Sequence, residues 1–361
     1  MKKFYLIAFL ITSSIYSQSK FQFRDGVDCI AGKTVEYSDE PGYALAVFTN
    51  EQMLYTKASG LKNLKTDSQI TLDTPFNIAS CAKTFTSAAI LKLSEEGQLS
   101  LDHSVRLYLK DFPHNFKDIK LINLLNHSSG LTDYTDEEDW RSRIKTNQDV
   151  LNLVQRQDSL NFEPGTKFKY NNTAYVLLAE IVEKVSEQSF EEYVRNHFLI
   201  PLQLNNTYFP NEILIEERSV GYTKEENDTL FKRDDTEEYL VTGSTGMYSS
   251  VNDLVKWLRA FDKSTIITPY MKQLMLTYPT LPNGKKGYMN MGWFNETMGS
   301  RNPSLEGFEQ DGQVGVTAGF RSYLIKSKNH DFNYIVLSNR GTLPFQFIGY
   351  ELIDCFFDRK D

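Results

Sequence analysis

The chain has 361 residues, 40% of them hydrophobic and 24% charged, with a formal net charge of −8. That length supports one large domain or two smaller ones, and the composition excludes a disordered or collagen-like chain. The negative balance argues against nucleic acid or an anionic lipid surface as partner, because both need clustered positive charge.

The chain opens on "MKKFYLIAFLITSSIYSQ", where Lys2 and Lys3 precede a short apolar run, Phe4 to Ile11. This predicts a secretory leader over residues 1–17, cleaved near Ser17, and a periplasmic or secreted mature chain. The run is too short to span a bilayer, and no other segment is apolar enough. "YALAVF" (Tyr43–Phe48) and "MLYTKA" (Met53–Ala58) read as a hairpin. "SCAKTFTSAAILKLSEEG" reads as a helix that Gly97 stops. "TAYVLLAEIVEKVSEQ" places Leu178, Ile181, Val182 and Val185 on one helical face. Ser189-x-x-Glu192 is a capping box for the helix that follows. The charged run Glu216–Glu238 predicts a solvated loop at the rim of a cleft. "FRSYLIK" and "NYIVLSN" read as a second hairpin. "PFQFIGYELIDCFFD" reads as a closing helix, with Phe345, Ile348, Leu352 and Phe356 at helical spacing.

Strands at both ends with helices between them predict an α/β (α+β) fold. One antiparallel sheet is flanked by N- and C-terminal helices, and an all-helical lobe is inserted between its strands. Residues 18–361 form a single domain on this reading, with the sheet lobe over about 22–79 and 305–361 and the helical lobe and loops over about 80–304. Of the three cysteines, Cys29 and Cys355 would tie the chain ends together in an oxidising compartment; free buried thiols are the alternative. Their spacing fits no metal site.

Ser-x-x-Lys occurs four times, at Ser17/Lys20, Ser59/Lys62, Ser80/Lys83 and Ser142/Lys145. The spacing alone therefore decides nothing. Ser17/Lys20 falls at the processing site, Ser59/Lys62 in a polar turn with Gly60, and Ser142/Lys145 on a solvated face. Ser80 opens a helix, where a serine ordinarily caps orphan N–H groups. It is also where an i,i+3 lysine and the helix dipole would activate a nucleophile. Cys81 is turned about 100° away and reads as core.

The wider text, "DTPFNIASCAKTFTSAAILKLSEEGQLSLDHSV", resembles the nucleophile segment of serine β-lactamase-like hydrolases. That superfamily includes class C β-lactamases, D-alanyl-D-alanine carboxypeptidases and related esterases. "LLNHSSGL" (Leu124–Leu131), "FEPGTKFKYNNTAYVLLAEIVEKVS", "GSTGMYSSVNDLVKWL" and "GVTAGFRSYL" resemble further blocks in the same order. The resemblance implies Ser80 as nucleophile, Lys83 and Tyr170 as proton carriers, and Asn172 as a partner of substrate or Lys83. The backbone N–H groups of Ser80 and Val316 would form the oxyanion hole. His127 reads as structural. A second Tyr-x-Asn, Tyr288 to Asn290, lacks the long helix that follows Tyr170.

One departure stands out. The family's third motif is Lys-Thr-Gly or His-x-Gly, and neither occurs in this chain. Without a gap, Gln313-Val314-Gly315 takes that place; with an insertion, Gln310 to Gly312 does. Gly315 keeps the small residue, where substrate approaches backbone, and Gln313 loses the cation. Arg321, of the same strand parity as Gln313, could replace it. Without that cation Tyr170, ordinarily near pKa ~10, is harder to ionise, and Lys83 becomes the stronger candidate for the base.

The sequence thus predicts an exported serine hydrolase that forms a Ser80 acyl-enzyme with an ester or amide, taking a small molecule or peptide and no metal or organic cofactor. β-Lactams and D-amino-acid peptides compete with neutral esters and amides as substrates. The alternative is a binding protein that acylates at Ser80 and barely turns over. Nothing in the sequence sets the oligomeric state.

Overall fold

A computed structural model describes residues 21–359 apart from 35, 225–228, 235–238, 298–305 and 344. The expected leader, with Ser17 and Lys20, lies outside the described residues. Seven strands form the central antiparallel sheet: β1 (Tyr43–Phe48), β2 (Met53–Ser59), β3 (Met289–Asn290), β4 (Trp293–Thr297), β5 (Glu309–Thr317), β6 (Phe320–Ser327) and β7 (Asn333–Ser338). The helices that cover it or build the second lobe are α1 (Val27–Lys33), α2 (Lys83–Glu95), α3 (Asn172–Ser186), α4 (Val251–Asp262) and α5 (Phe345–Phe356).

Across the sheet the order is β3-β4-β5-β6-β7-β1-β2. The N-terminal hairpin joins the C-terminal one along β1 and β7, where Tyr43 lies opposite Ser338. Every residue of β1 is buried, because both faces of the sheet are covered. Tyr43, Leu45 and Val47 pack with Ile30, Leu352, Ile353 and Phe356 of the two terminal helices. Ala44, Ala46 and Phe48 point the other way, into the core shared with α2, α3 and α4. In that core Phe85 stacks on Trp257 at 3.8 Å, and Leu178, Ile181 and Val182 are buried. Cys29 and Cys355 are joined in a disulfide that closes the chain ends. Among the described residues, no helix is long and apolar enough to cross a membrane.

Three sequence expectations are corrected. The sheet draws β3 and β4 from Met289–Thr297, upstream of residue 305. The Glu216–Glu238 segment is not simply solvated. Tyr222–Lys224 pairs with Leu230–Lys232, and Arg218 is buried in an ion pair with Asp234, its guanidinium 4.7 Å from the Tyr248 ring. Composition counts charges and does not reveal their partners. Finally, Arg321 lies on the face of β6 opposite to Gln313. Thr317 pairs with Phe320 across a two-residue turn, so Gln313 stands opposite Leu324 and Arg321 opposite Val316.

Candidate active site

Strand Phe76–Asn77 pairs with Tyr248–Ser249 and leads into a tight turn, Ala79–Ala82, that runs directly into α2. Ala79 has a φ of 46°, in the left-handed region that costs a non-glycine residue about 1 kcal/mol or more. Asn77 supports it, its Oδ1 accepting from the Ala79 N–H at 2.9 Å. The Ser80 side chain caps neither the turn nor α2. Its Oγ instead accepts from the Tyr170 hydroxyl at 2.8 Å and lies 3.1 Å from the Lys83 Nζ.

Lys83 is the first residue of α2 and is 0% exposed. Besides Ser80, its Nζ meets the Asn172 Oδ1 at 2.8 Å and the Ser244 carbonyl at 2.6 Å. Ser244 sits between Gly243 and Gly246, which have φ values of 85° and 78°. A Cβ on Gly243 would fall 2.4 Å from the Tyr175 carbonyl, so glycine there lets the loop close on α3. Tyr170 immediately precedes the cap of α3: Asn171 accepts from the Ala174 N–H at 2.7 Å, and Asn172 starts the helix. From this one cap Tyr170 reaches Ser80 in the nucleophile turn and Asn172 reaches Lys83 at the start of α2.

Asp133 lies behind Asn172 and is 3% exposed. Its Oδ2 accepts from the Asn172 backbone N–H at 2.7 Å and from Asn172 Nδ2 at 3.0 Å. Its Oδ1 accepts from the Thr135 N–H and hydroxyl, each at 2.9 Å. With Nδ2 held there, Asn172 must present Oδ1 to Lys83.

Burial pulls the Lys83 ammonium down to about 7, against the opposing pull of the nearby Asp133 carboxylate. Burial pushes the Tyr170 phenol far above its usual range, with the Ser80 hydrogen bond opposing. The Cys81 thiol, 0% exposed and bonded to the Gln313 carbonyl, is also pushed up by burial, which makes it inert. A neutral amine has two N–H donors and one lone pair. With the donors committed to Asn172 and Ser244, the lone pair is left for the Ser80 hydroxyl.

Ser80 opens onto a cleft of about 290 Å³. One wall is strand β5, through Val314, Val316 and Thr317; the other carries Tyr134, Thr135, Trp140, Arg141 and Tyr239. Pairing of β5 with β4 stops at Gly312, so the strand has a free edge only beyond it. Val316 is 55% exposed on that edge. Among the described residues, no group of three or more His, Cys, Asp or Glu side chains is placed to hold a metal ion.

A family model described as Beta-lactamase matches residues 30–354. The chain belongs to the beta-lactamase family. Penicillin-binding protein 4* of Bacillus subtilis (strain 168) is 28% identical over 341 residues, 89% of this chain and 69% of that protein. Protein flp of Staphylococcus aureus (strain MW2) is 26% identical over 324 residues, 87% of this chain but only 62% of that protein. The octameric penicillin-binding protein homologue from Pyrococcus abyssi superposes with a TM-score of 0.76 at 26% identity, over 90% of this chain and 74% of that one. The fold and the family make this protein a serine hydrolase with a β-lactamase fold.

Within this beta-lactamase-family scaffold, Ser80, Lys83, Tyr170 and Asn172 come together, and Val316 lies on the cleft edge. Gln313 and Gly315 do not line the cleft. Gln313 is 2% exposed, and its Oε1 accepts from the Val314 N–H at 3.1 Å. Gly315 packs under the nucleophile turn. An added Cβ would stand 2.3 Å from the Ile78 carbonyl and 3.2 Å from the Ala79 Cβ. The glycine therefore serves the approach of that turn, whereas the sequence suggested approach of substrate. Gly315→Ala is expected to destabilise the protein by about 1–3 kcal/mol, read from denaturant melts.

The other candidates have ordinary roles. His127 is 1% exposed; burial takes its imidazole down to about 3, and its Nδ1 accepts from the Asn171 N–H at 3.1 Å. It stacks on Tyr170 at 4.7 Å and so braces that ring. Tyr288 is exposed, and the Asn290 Nδ2 donates to the carbonyls of Leu274 and Thr277. Ser59 bonds Glu36 and Tyr37, whereas Lys62 reaches the Glu216 carbonyl. Ser142 is solvated as expected, but its neighbours Trp140 and Arg141 line the cleft. Sequence reasoning missed those two, and also Asp133 and Ser244. The Gly-Ser-Thr-Gly stretch was the available signal for Ser244; an unremarkable acidic run hid Asp133.

Proposed function

We propose that this serine hydrolase acts outside the cytoplasm on an ester or amide carbonyl through an acyl-enzyme on Ser80. The observation that carries the reading is the set of partners around Lys83. Burial favours its neutral amine, and the two carbonyl acceptors orient the lone pair toward Ser80. Lys83 takes the Ser80 proton as Oγ attacks the carbonyl carbon. Tyr170, a neutral phenol, passes a proton to the departing group as it recovers one from the Lys83 ammonium; Lys83, neutral again, then takes a proton from the hydrolytic water and returns it to Ser80 Oγ as the acyl group leaves. The backbone N–H groups of Ser80 and Val316 serve as the oxyanion hole, where loss of one donor typically costs ~10²–10³ in rate. Asn172 holds Lys83, and Gln313 and Gly315 support the strand and turn beneath. Export is supported by the Lys2–Lys3 apolar leader pattern and by the Cys29–Cys355 disulfide, which an oxidising compartment favours.

A panel of a p-nitrophenyl ester, nitrocefin and an acyl-D-Ala-D-Ala peptide, followed by product release and intact mass, tests this. Multiple turnovers with a transient acyl adduct on the peptide containing Ser80 are expected. A stable adduct with a single turnover would instead establish the slow binding protein, and an adduct elsewhere would remove Ser80 from the mechanism.

A further inference from the structure

Two carbonyl oxygens aim the Lys83 amine, and they come from separate parts of the chain. The Asn172 Oδ1 is carried by α3, and the Ser244 carbonyl by the loop that follows Tyr239. The lone pair points at Ser80 only while these two acceptors keep their spacing. One side chain outside the cleft, Asn147, joins the supports of both.

Asn147 is the first residue of the helix Asn147–Gln155, next to its cap, Thr146. A capping box fixes that end: the Asp149 Oδ2 accepts from the Thr146 N–H at 2.9 Å, and the Thr146 hydroxyl accepts from the Asp149 N–H at 3.4 Å. The Asn147 amide is then fully used. Its Oδ1 accepts from the Thr242 N–H at 2.9 Å. Its Nδ2 donates to the Thr242 hydroxyl at 3.2 Å and to the Glu180 Oε1 at 3.1 Å. The amide can face only this way, because the Thr242 N–H can only donate.

Thr242 is buried two residues before Ser244, with Gly243 between them at a φ of 85°. Glycine permits that turn and does not by itself hold it. From α2 the loop is held by the Thr86 hydroxyl, which donates to the Gly243 carbonyl at 2.7 Å, and by Lys83 itself. The Tyr134 hydroxyl stands 3.2 Å from the Ser244 Oγ. From the helix Asn147–Gln155 the hold is the Asn147 amide, without which the Thr242 N–H is a buried orphan donor. Glu180, the other partner of that amide, lies on α3 about two turns beyond Asn172. Burial raises the Glu180 carboxyl; the Asn147 bond and Lys184 oppose the rise, and Glu183 and Glu191 add to it.

We propose that Asn147 is a positioning residue for Lys83: its single amide ties α3 to the Thr242–Ser244 loop and so sets the spacing of the two acceptors that aim the amine at Ser80. Asn147 is absent from the cleft lining and acts only through this tie. The inference rests on the reading of Lys83 as base and deepens it.

The test is a double-mutant cycle on a p-nitrophenyl ester, with thermal melts on every variant. In the wild-type background Asn147→Ala is expected to lower kcat/KM by about 10–100-fold, through kcat with KM nearly unchanged, the scale on which a small misplacement of a catalytic group acts. In Lys83→Met the same substitution should cost no more than about twofold, because the amine it positions is gone. A merely structural role would lower both backgrounds by the same factor. That result, or no loss in the wild-type background, overturns the proposal. Asn147→Asp keeps an acceptor for Thr242 but sets a second carboxylate against Glu180, and should lower kcat. Adding Glu180→Gln exchanges amide and carboxylate across the same contact and should restore most of the loss. If Asn147→Ala does not fold, this pair decides: an exchange no faster than Asn147→Asp alone overturns the proposal. Wild-type turnover in Lys83→Met alone would show separately that the base reading beneath it has failed.

Discussion

Ser80→Ala is expected to lower kcat/KM on every ester and amide substrate by about 10⁴–10⁶-fold, the range seen when an acyl-enzyme nucleophile is removed. The fold should survive the change. Lys83 keeps its contacts to Asn172 and Ser244, and the turn is held by Asn77 and by the packing of Gly315. The check is threefold: steady-state rates, an unshifted thermal melt, and loss of the acyl adduct by intact mass. Cys81 cannot stand in for the missing hydroxyl, because it is buried against the Gln313 carbonyl with its thiol held protonated. Turnover at the wild-type level in this variant would end the nucleophile reading, whatever the geometry around Lys83.

Much of this site is legible in the sequence because its parts are local. Ser80 and Lys83 share one helical turn, and Tyr170 and Asn172 flank one helix cap, so the resemblance could pick out each pair from a short stretch. The sheet is equally local in origin, since both of its hairpins announce themselves by short apolar runs and short links. What sequence could not supply is the face that each strand presents. Arg321 and Gln313 share a parity by counting, yet a two-residue turn sets them on opposite faces. Nor does Ser-x-x-Lys spacing reveal burial, and it is complete burial that separates Lys83 from the half-buried Lys145 and gives it a different chemistry. Asp133 and Arg141 were hidden for the same reason. Both lie in a polar stretch whose composition predicts solvent, and only tertiary packing turns one inward behind Asn172 and the other onto the cleft wall.

Lys83→Met is expected to reduce kcat/KM by about 10²–10⁴-fold, the usual contribution of a positioned general base, while sparing the fold because the new side chain is apolar in a buried site. The pH dependence carries the sharper information. Lys83 is the base only when neutral, so wild-type kcat/KM should fall as pH drops through about 7, the value to which burial lowers this ammonium. Tyr170 does not supply that limb, since burial keeps its phenol protonated well above the neutral range. Around Lys83 stand Asp133 and the protonated Cys81 thiol, with Tyr170 and Tyr175 presenting ring faces at 4.9 and 5.5 Å and His127 kept neutral nearby. The Asp133 carboxylate is the group that opposes burial and holds the Lys83 pKa up. Asp133→Asn removes that charge and should move the acid limb to lower pH, even while it loosens Asn172 and lowers the plateau rate. A purely structural role for Asp133 would lower the plateau and leave the limb in place. A limb that moves to higher pH would mean that a group other than Lys83 titrates there, and the base would have to be sought elsewhere in the cleft.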